Sequence, residues 1–128
     1  MNPKKIWSNF GVSDLDRTTK FYKELGFRFN GRSTELTSFF VGDDNFVIHF
    51  FQKDVLQTNT KVNIADAQQA SEVVFTLSAD TKTDVDDWAK EVEKAGGKLV
   101  SRPEAFGDGY YGFVFADPDG HKFNVFNM

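Results

Sequence analysis

The chain carries the tetrapeptide FGVS at residues 10–13 and a similar one, FTLS, at residues 75–78. Each tetrapeptide ends a predicted strand and leads into a predicted helix, and a glycine closes each helix before the next strand begins, at Phe27 or at Leu99. A turn-linked pair of strands follows in both halves. The sequence therefore predicts an α+β fold made of two tandem β-α-β-β-β modules.

The elements of the first module follow from alternation, helical spacing and turn residues. Its helix can be capped by Ser13, Asp14 or Asp16 and is ended by Gly26. The turn GDDN at residues 42–45 joins the last two strands. The predicted elements are a strand over residues 5–12, a helix over 15–25, a strand from residue 27, and strands over 35–41 and 46–52.

The second module is predicted in the same order, after a polar connector at residues 53–70 that is too weakly patterned to be a core element. Its helix has Thr83 and Asp86 in capping-box-like positions and Gly96 as its stop. DPDG at residues 117–120 predicts a type I turn. The predicted elements are strands over 72–77, 98–102, 110–116 and 121–127 and a helix over 83–95. We expect a single domain over residues 1–128, with module one at 1–52, the connector at 53–70 and module two at 71–128.

The composition of the 128 residues excludes several classes of protein. The aromatic residues are 15 Phe, 3 Tyr and 2 Trp, and phenyl rings belong in a dry core because they have no polar group to satisfy. The absence of Cys excludes a disulfide framework, a thiolate zinc site and a Cys nucleophile. A net charge of −4 with scattered basic residues argues against binding to nucleic acid. No segment has the pattern of a signal peptide or a membrane anchor. We expect a cytoplasmic protein.

Alternation along the strands assigns each side chain to one face of its sheet. The wholly apolar set of each strand should pack under the helix of its module, which leaves the opposite faces to build a shared concave cavity. On the helix side we place Ile6, Phe10, Phe46, Ile48, Phe50, Val73, Phe75, Phe123 and Val125. On the cavity side we place the polar residues Asn9, His49, Glu72 and Asn124 and the aromatic residues Trp7, Phe51 and Phe126.

Several motifs resemble those of one superfamily over nearly the whole chain: VSDL at residues 12–15, FY at 21–22, LGF at 25–27 and DPDGH at 117–121. They are similar to the vicinal oxygen chelate superfamily of glyoxalases, bleomycin-resistance proteins and extradiol dioxygenases. Within it the chain most resembles the small bacterial predicted lactoylglutathione lyase-like proteins, whose first strand carries Asn at the position of Asn9. The resemblance implies an open mixed sheet that encloses a cavity.

The resemblance also implies a divalent metal, such as zinc, nickel, iron or manganese, held by one residue from each of four strands. The matching positions here are Trp7, His49, Glu72 and Asn124. Trp cannot ligate a metal, and Asn offers only a neutral carbonyl oxygen. Asn9 could substitute from the first strand. The expected metal ligands are therefore His49, Glu72 and Asn124.

Two hypotheses of function follow, from different classes. The first is a glyoxalase-like lyase or isomerase, in which a metal at His49 and Glu72 polarises vicinal substrate oxygens and these two residues serve catalysis. The second is a metal-free protein that sequesters an aromatic or cationic small molecule, as bleomycin-resistance relatives do. A duplicated fold with no surviving ligand is the third reading.

Each candidate residue also has an ordinary structural reading. His49 could be a cavity-wall side chain hydrogen-bonded to a neighbour, and Glu72 a solvent-exposed carboxylate at a strand end. His121 is three residues from Asn124 and so faces the other way, which suits a role in the turn. The aromatic residues on the cavity side could instead belong to a dimer interface. A homodimer is expected, because pairing would cover exposed strand edges.

Overall fold

In a computed structural model, which describes all 128 residues, the chain folds into two compact units, residues 1–65 and residues 66–128. Each unit holds one mixed sheet, and the fold is α+β, as predicted. None of the three helices has both the length and the apolar character needed to cross a membrane.

The first unit contains a four-stranded sheet in the order β1-β4-β3-β2. Strand β1 runs parallel to β4, whereas the β2–β3 and β3–β4 pairs are antiparallel. The elements are β1 (Trp7–Val12), α1 (Leu15–Glu24), β2 (Arg28–Arg32), β3 (Leu36–Val41), β4 (Phe46–Gln52) and α2 (Lys53–Thr60).

The ends of α1 use the residues that the sequence indicates. The Asp14 side chain accepts a hydrogen bond from the Arg17 backbone N–H at 3.0 Å, so Asp14 is the N-cap. Gly26, which follows the helix, has a φ of +90°, a conformation that costs glycine little. The chain can therefore turn directly into β2.

An aromatic core lies between α1 and its sheet. Tyr22 is fully buried and stacks on Phe50 with 4.5 Å between ring centroids, and Phe39 is 5.8 Å from Tyr22. Ile48 and Phe50 are buried under the helix, as the alternation of β4 predicts. Burying each such side chain contributes roughly 1.5–3 kcal/mol, so this layer fixes the position of β4.

The helix α2 lies inside the segment predicted to be a polar connector rather than a core element. Its sequence, KDVLQTNT, carries a single buried residue, Leu56, and the helix packs against β1 and β4. Tertiary contact therefore stabilises a helix that its periodicity does not reveal. Gly11 of β1 lies against this segment, since a Cβ there would be 3.2 Å from both Lys53 and Ile64.

The second unit contains a sheet in the order β5-β9-β8-β6, with β7 paired to β8. Strand β5 is parallel to β9, and the pairs made by β8 are antiparallel. The elements are β5 (Phe75–Ser78), α3 (Lys82–Ala95), β6 (Lys98–Leu99), β7 (Glu104–Phe106), β8 (Tyr110–Ala116) and β9 (Lys122–Asn127).

The strand predicted over residues 98–102 is wrong in its second half. Strand β6 ends at Leu99, because Val100 and Ser101 both donate their backbone N–H to the single carbonyl of Val114 and the ladder is interrupted there. Pro103, which has no N–H, then separates β6 from the unpredicted strand β7. Strand β7 is an addition to the repeated module, in which β8 is the counterpart of β3.

Two helix-side assignments are also wrong, for Ile6 and Val73. Both lie just outside their strands and are 79% and 57% exposed, because β1 begins at Trp7 and β5 only at Phe75. Ile48, Phe50, Phe123 and Val125 are buried as predicted.

The helix α3 is capped two residues earlier than predicted. Thr81 is the N-cap, with its Oγ1 accepting from the Asp84 N–H at 3.0 Å, and Thr83 lies within α3. Gly96 ends the helix with a φ of +98°. The helix packs over a core that contains Val85, Val92, Phe115 and Phe123.

Candidate functional site

The face of the first sheet opposite α1 carries His49 between two aromatic side chains. The His49 ring lies edge-on to Trp7, at 6.4 Å between centroids, and to Phe51, at 6.0 Å. Trp7 is 52% exposed and His49 is half-buried. Asn9 is the β1 partner of His49 in the register of the sheet. The predicted residues of the first module therefore do share one face.

One ring nitrogen of His49 lacks a hydrogen-bond partner. Its Nδ1 is buried and has no hydrogen-bond partner. Burial lowers the pKa of the imidazole below its ordinary value of 6.5, so the ring is neutral at pH 7. A buried polar atom without a partner is rare in folded proteins, which sets His49 apart from a satisfied core histidine.

The neighbours of His49 across the sheet are weak ligands. Its register partners are Asn9 on β1 and Ser38 on β3, an amide and a hydroxyl. The Ser38 hydroxyl already accepts from Asn30 Nδ2 at 3.0 Å. Neither partner offers a carboxylate or a second imidazole beside His49.

The face of the second sheet opposite α3 forms an open cavity of about 400 Å³. Thr76 on β5 and Asn124 on β9 are register partners in its floor, and Asn124 Nδ2 is 3.5 Å from Thr76 Oγ1. The cavity thus contains Asn124, one of the predicted site residues. Its lining residues are Val74, Thr76, Ser101, Glu104, Phe106, Gly112, Phe113, Val114 and Asn124.

Glu72 lies apart from this lining. It is exposed and precedes β5 by three residues, because the strand predicted to begin at residue 72 begins at Phe75. Val74 and Thr76 line the cavity, but the alternation argument that placed Glu72 on the cavity side does not reach a residue outside the strand.

An aromatic cluster stands at one end of the cavity. Phe106 of β7 and Tyr110 of β8 stack at 5.5 Å, and Phe126 of β9 lies 6.4 Å from Phe106 and 5.8 Å from Tyr110. Gly112 makes room for this arrangement, since a Cβ there would be 2.3 Å from the Val125 carbonyl oxygen and 2.7 Å from Phe126 Cβ. Only Phe126 is predicted from the sequence.

Sequence reasoning also missed two polar lining residues, Ser101 and Glu104. Ser101 Oγ accepts a hydrogen bond from the Val114 N–H at 2.9 Å, which fixes the hydroxyl at the edge of β8. Glu104 lies on β7, the strand absent from the prediction. The pair DG at residues 108–109, between aromatic residues, is a hairpin signal that could have revealed this strand.

The donor set predicted for a divalent metal does not fit one. It consists of one imidazole, His49, one exposed carboxylate, Glu72, and one neutral amide, Asn124. No group of three or more His, Cys, Asp or Glu side chains in the chain could hold a metal ion. Catalytic zinc sites use three protein ligands of stronger donor character. A metal held by these three residues stays a prediction without support from the donor chemistry.

His121 belongs to the turn that joins β8 to β9. It is 8% exposed, and its backbone N–H donates to Asp117 Oδ1 at 2.8 Å. Gly120 has a φ of +94° and packs closely on the segment that precedes β5. A Cβ there would be 2.6 Å from the Gln68 backbone nitrogen. This turn is built for structure, as the sequence predicts.

Solved structures share this architecture over essentially the full chain. A hypothetical protein from S. aureus is 28% identical, with a TM-score of 0.88, over 100% of this chain and 96% of that one. A glyoxalase-related enzyme from Fulvimarina pelagi is 22% identical, with a TM-score of 0.86, over 98% and 89%. The fosfomycin resistance protein of Mesorhizobium loti is 22% identical, with a TM-score of 0.72, over 100% and 94%.

The match to a family model is more specific than the likeness to these solved structures. No curated protein matched the sequence. The model of the Glyoxalase/Bleomycin resistance protein/Dioxygenase superfamily, however, matches residues 7–125, from the first residue of β1 almost to the end of β9. The resemblance stated from the motifs is thus confirmed, and the chain belongs to the glyoxalase/bleomycin resistance protein/dioxygenase superfamily.

Proposed function

We propose that this protein binds a small organic molecule in the cavity of its second unit, and that binding needs no resident metal ion. The observation that carries the proposal is the cavity itself, about 400 Å³ in volume and lined by both aromatic and polar side chains. Small-molecule sites usually fall between about 300 and 1,000 Å³ and combine apolar walls with a few placed polar groups.

The walls of this cavity are held by regular structure. Thr76 and Asn124 lie on the paired strands β5 and β9, and Val114 lies on β8, which pairs with β9. Side chains on strands are positioned more sharply than side chains on loops. A ligand would therefore meet a surface that is largely formed before it binds.

A metal-dependent lyase or isomerase, implied by the family, is the competing hypothesis. It requires a ligand set that the donor chemistry of His49, Glu72 and Asn124 does not supply. The catalytic roles of His49 and Glu72 stay predictions of the sequence. Stoichiometric binding of zinc, nickel, iron or manganese by the purified protein would restore that hypothesis.

A cavity-filling substitution tests the proposal. Thr76→Trp should block the cavity and abolish binding of a small neutral aromatic probe, 4-ethylphenol, measured by calorimetry at millimolar probe. Ser78→Trp is the matched control, because Ser78 lies on the same strand with the same parity but outside the lining. Equal binding by wild type and Thr76→Trp would contradict the proposal.

The cellular setting is also proposed from the sequence. We expect a cytoplasmic homodimer, with dimerisation covering strand edges that would otherwise be free to pair. Light scattering on the eluting protein checks this, and a mass near the 14.5 kDa of one chain would contradict the dimer.

A further inference from the structure

We infer that the ligand of the second-unit cavity is an organic cation, an aromatic ring that carries a protonated amine on a short arm. The inference rests on the proposed function, since it names the class of molecule that the same cavity would select. Three features of the lining carry it: its charge, the spacing of that charge from the aromatic cluster, and the hydrogen-bonding groups at the floor.

The charge of the lining comes from one residue. Glu104 is the only ionisable side chain among the nine lining residues, and no Lys, Arg or His lies among them. The Glu104 carboxylate makes no ion pair within the chain. An entering anion would be repelled by this carboxylate, whereas a cation would gain an ion pair that the protein itself leaves unmade.

The spacing between charge and ring follows from β7. Glu104 and Phe106 are alternate residues of one strand, so they share a face and their Cα atoms are about 6.6 Å apart. The Phe106 ring is held from behind by Tyr110 and Phe126. A ligand ring packed on Phe106 would reach Glu104 with an arm of one or two carbon atoms, and the ring of Phe106 attracts the same cation.

The floor of the cavity favours a hydrogen-bond acceptor at the other end of the ligand. Ser101 Oγ accepts from the Val114 N–H, so its own proton is left to donate. Thr76 Oγ1 is approached only by Asn124 Nδ2, at 3.5 Å, which leaves its proton as well. A phenolic or carbonyl oxygen on the ligand ring would satisfy these two hydroxyls.

Three matched probes test the inference: tyramine, which is cationic, 4-ethylphenol, which is neutral, and 4-hydroxyphenylacetate, which is anionic. We expect tyramine to bind about fivefold more tightly than 4-ethylphenol, the ratio typical of a partly exposed ion pair. The anion should bind more weakly than both. The preference should shrink at high salt, because salt screens exposed charges.

Glu104→Gln should remove most of the preference, so that tyramine keeps only the small advantage that the Phe106 ring gives a cation, while binding of 4-ethylphenol stays unchanged. Asp108→Asn is the control, since this exposed carboxylate lies on the same hairpin but outside the lining. Equal binding of all three probes to wild type, or tightest binding of the anion, overturns the cation inference and leaves the proposed function standing. Binding of none of the three overturns both.

Discussion

The two units repeat one architecture but differ on the sheet face away from the helix. Gly11 and Thr76 occupy the same place in the tetrapeptides FGVS and FTLS. Gly11 is buried against Lys53 and Ile64 of the segment that follows β4, whereas Thr76 is exposed in the floor of a cavity. The helix-side cores are alike, with stacked rings in both.

The difference shows where a duplicated fold is free to diverge. The helix-side core must stay packed in both units, because removing a buried ring there lowers the free energy of unfolding by more than a change at the surface can restore. The opposite face depends on what the chain adds to the repeat, which is α2 after β4 in the first unit and β7 between β6 and β8 in the second. Function can therefore differ between the halves while the scaffold does not.

The largest effect on stability is expected from disrupting the helix-side core that each unit contains. Phe50→Ala and Phe123→Ala each remove a fully buried ring, and each should lower the free energy of unfolding by about 3–5 kcal/mol. Urea unfolding followed by circular dichroism measures both. A large loss for one variant and almost none for the other would show that the two cores are not equivalent.

A smaller effect should separate the paired positions. Gly11→Ala forces a methyl group to 3.2 Å from Ile64 Cγ2 and Lys53 Cγ, and should lower the free energy of unfolding by about 1–2 kcal/mol. Thr76→Ala, its counterpart in the open cavity, should change it by no more than about 0.5 kcal/mol. Equal losses in the same unfolding experiment would remove the contrast between the covered and the open face.

The pH dependence of stability provides the mildest test, and it concerns the first unit alone. Burial lowers the pKa of His49 in the folded state, so the unfolded chain binds this proton more readily. The free energy of unfolding should therefore decrease as the pH falls below about 6.5, and level off below the folded pKa. His49→Gln should lose this component. An NMR titration of His49 with a midpoint at or above 6.5 would contradict the prediction.

Much of the scaffold could be predicted because its signals are local. The turn at residues 117–120, the glycine after each helix and the alternation in β4 and β9 all act within a few residues. These signals correctly place His49 and Asn124 opposite the helices of their units.

The two elements that the sequence did not predict, α2 and β7, depend on tertiary contacts. The helix α2 forms because Leu56 is buried against the sheet, and β7 forms because β8 pairs with it. Neither element has a periodicity of its own, since α2 has one buried residue and β7 has only three residues. Glu104 and Phe106 were missed with their strand, and Glu72 was misplaced because β5 begins late.

The most direct test of the central claim maps the bound probe onto the backbone. Chelator-treated protein is titrated with tyramine, and the backbone amide resonances are followed by NMR. We predict shifts at Val74, Thr76, Ser101, Glu104, Val114 and Asn124, with no requirement for added metal. Shifts confined to Trp7, His49 and Phe51, or shifts that appear only after a divalent metal is added, would contradict the account.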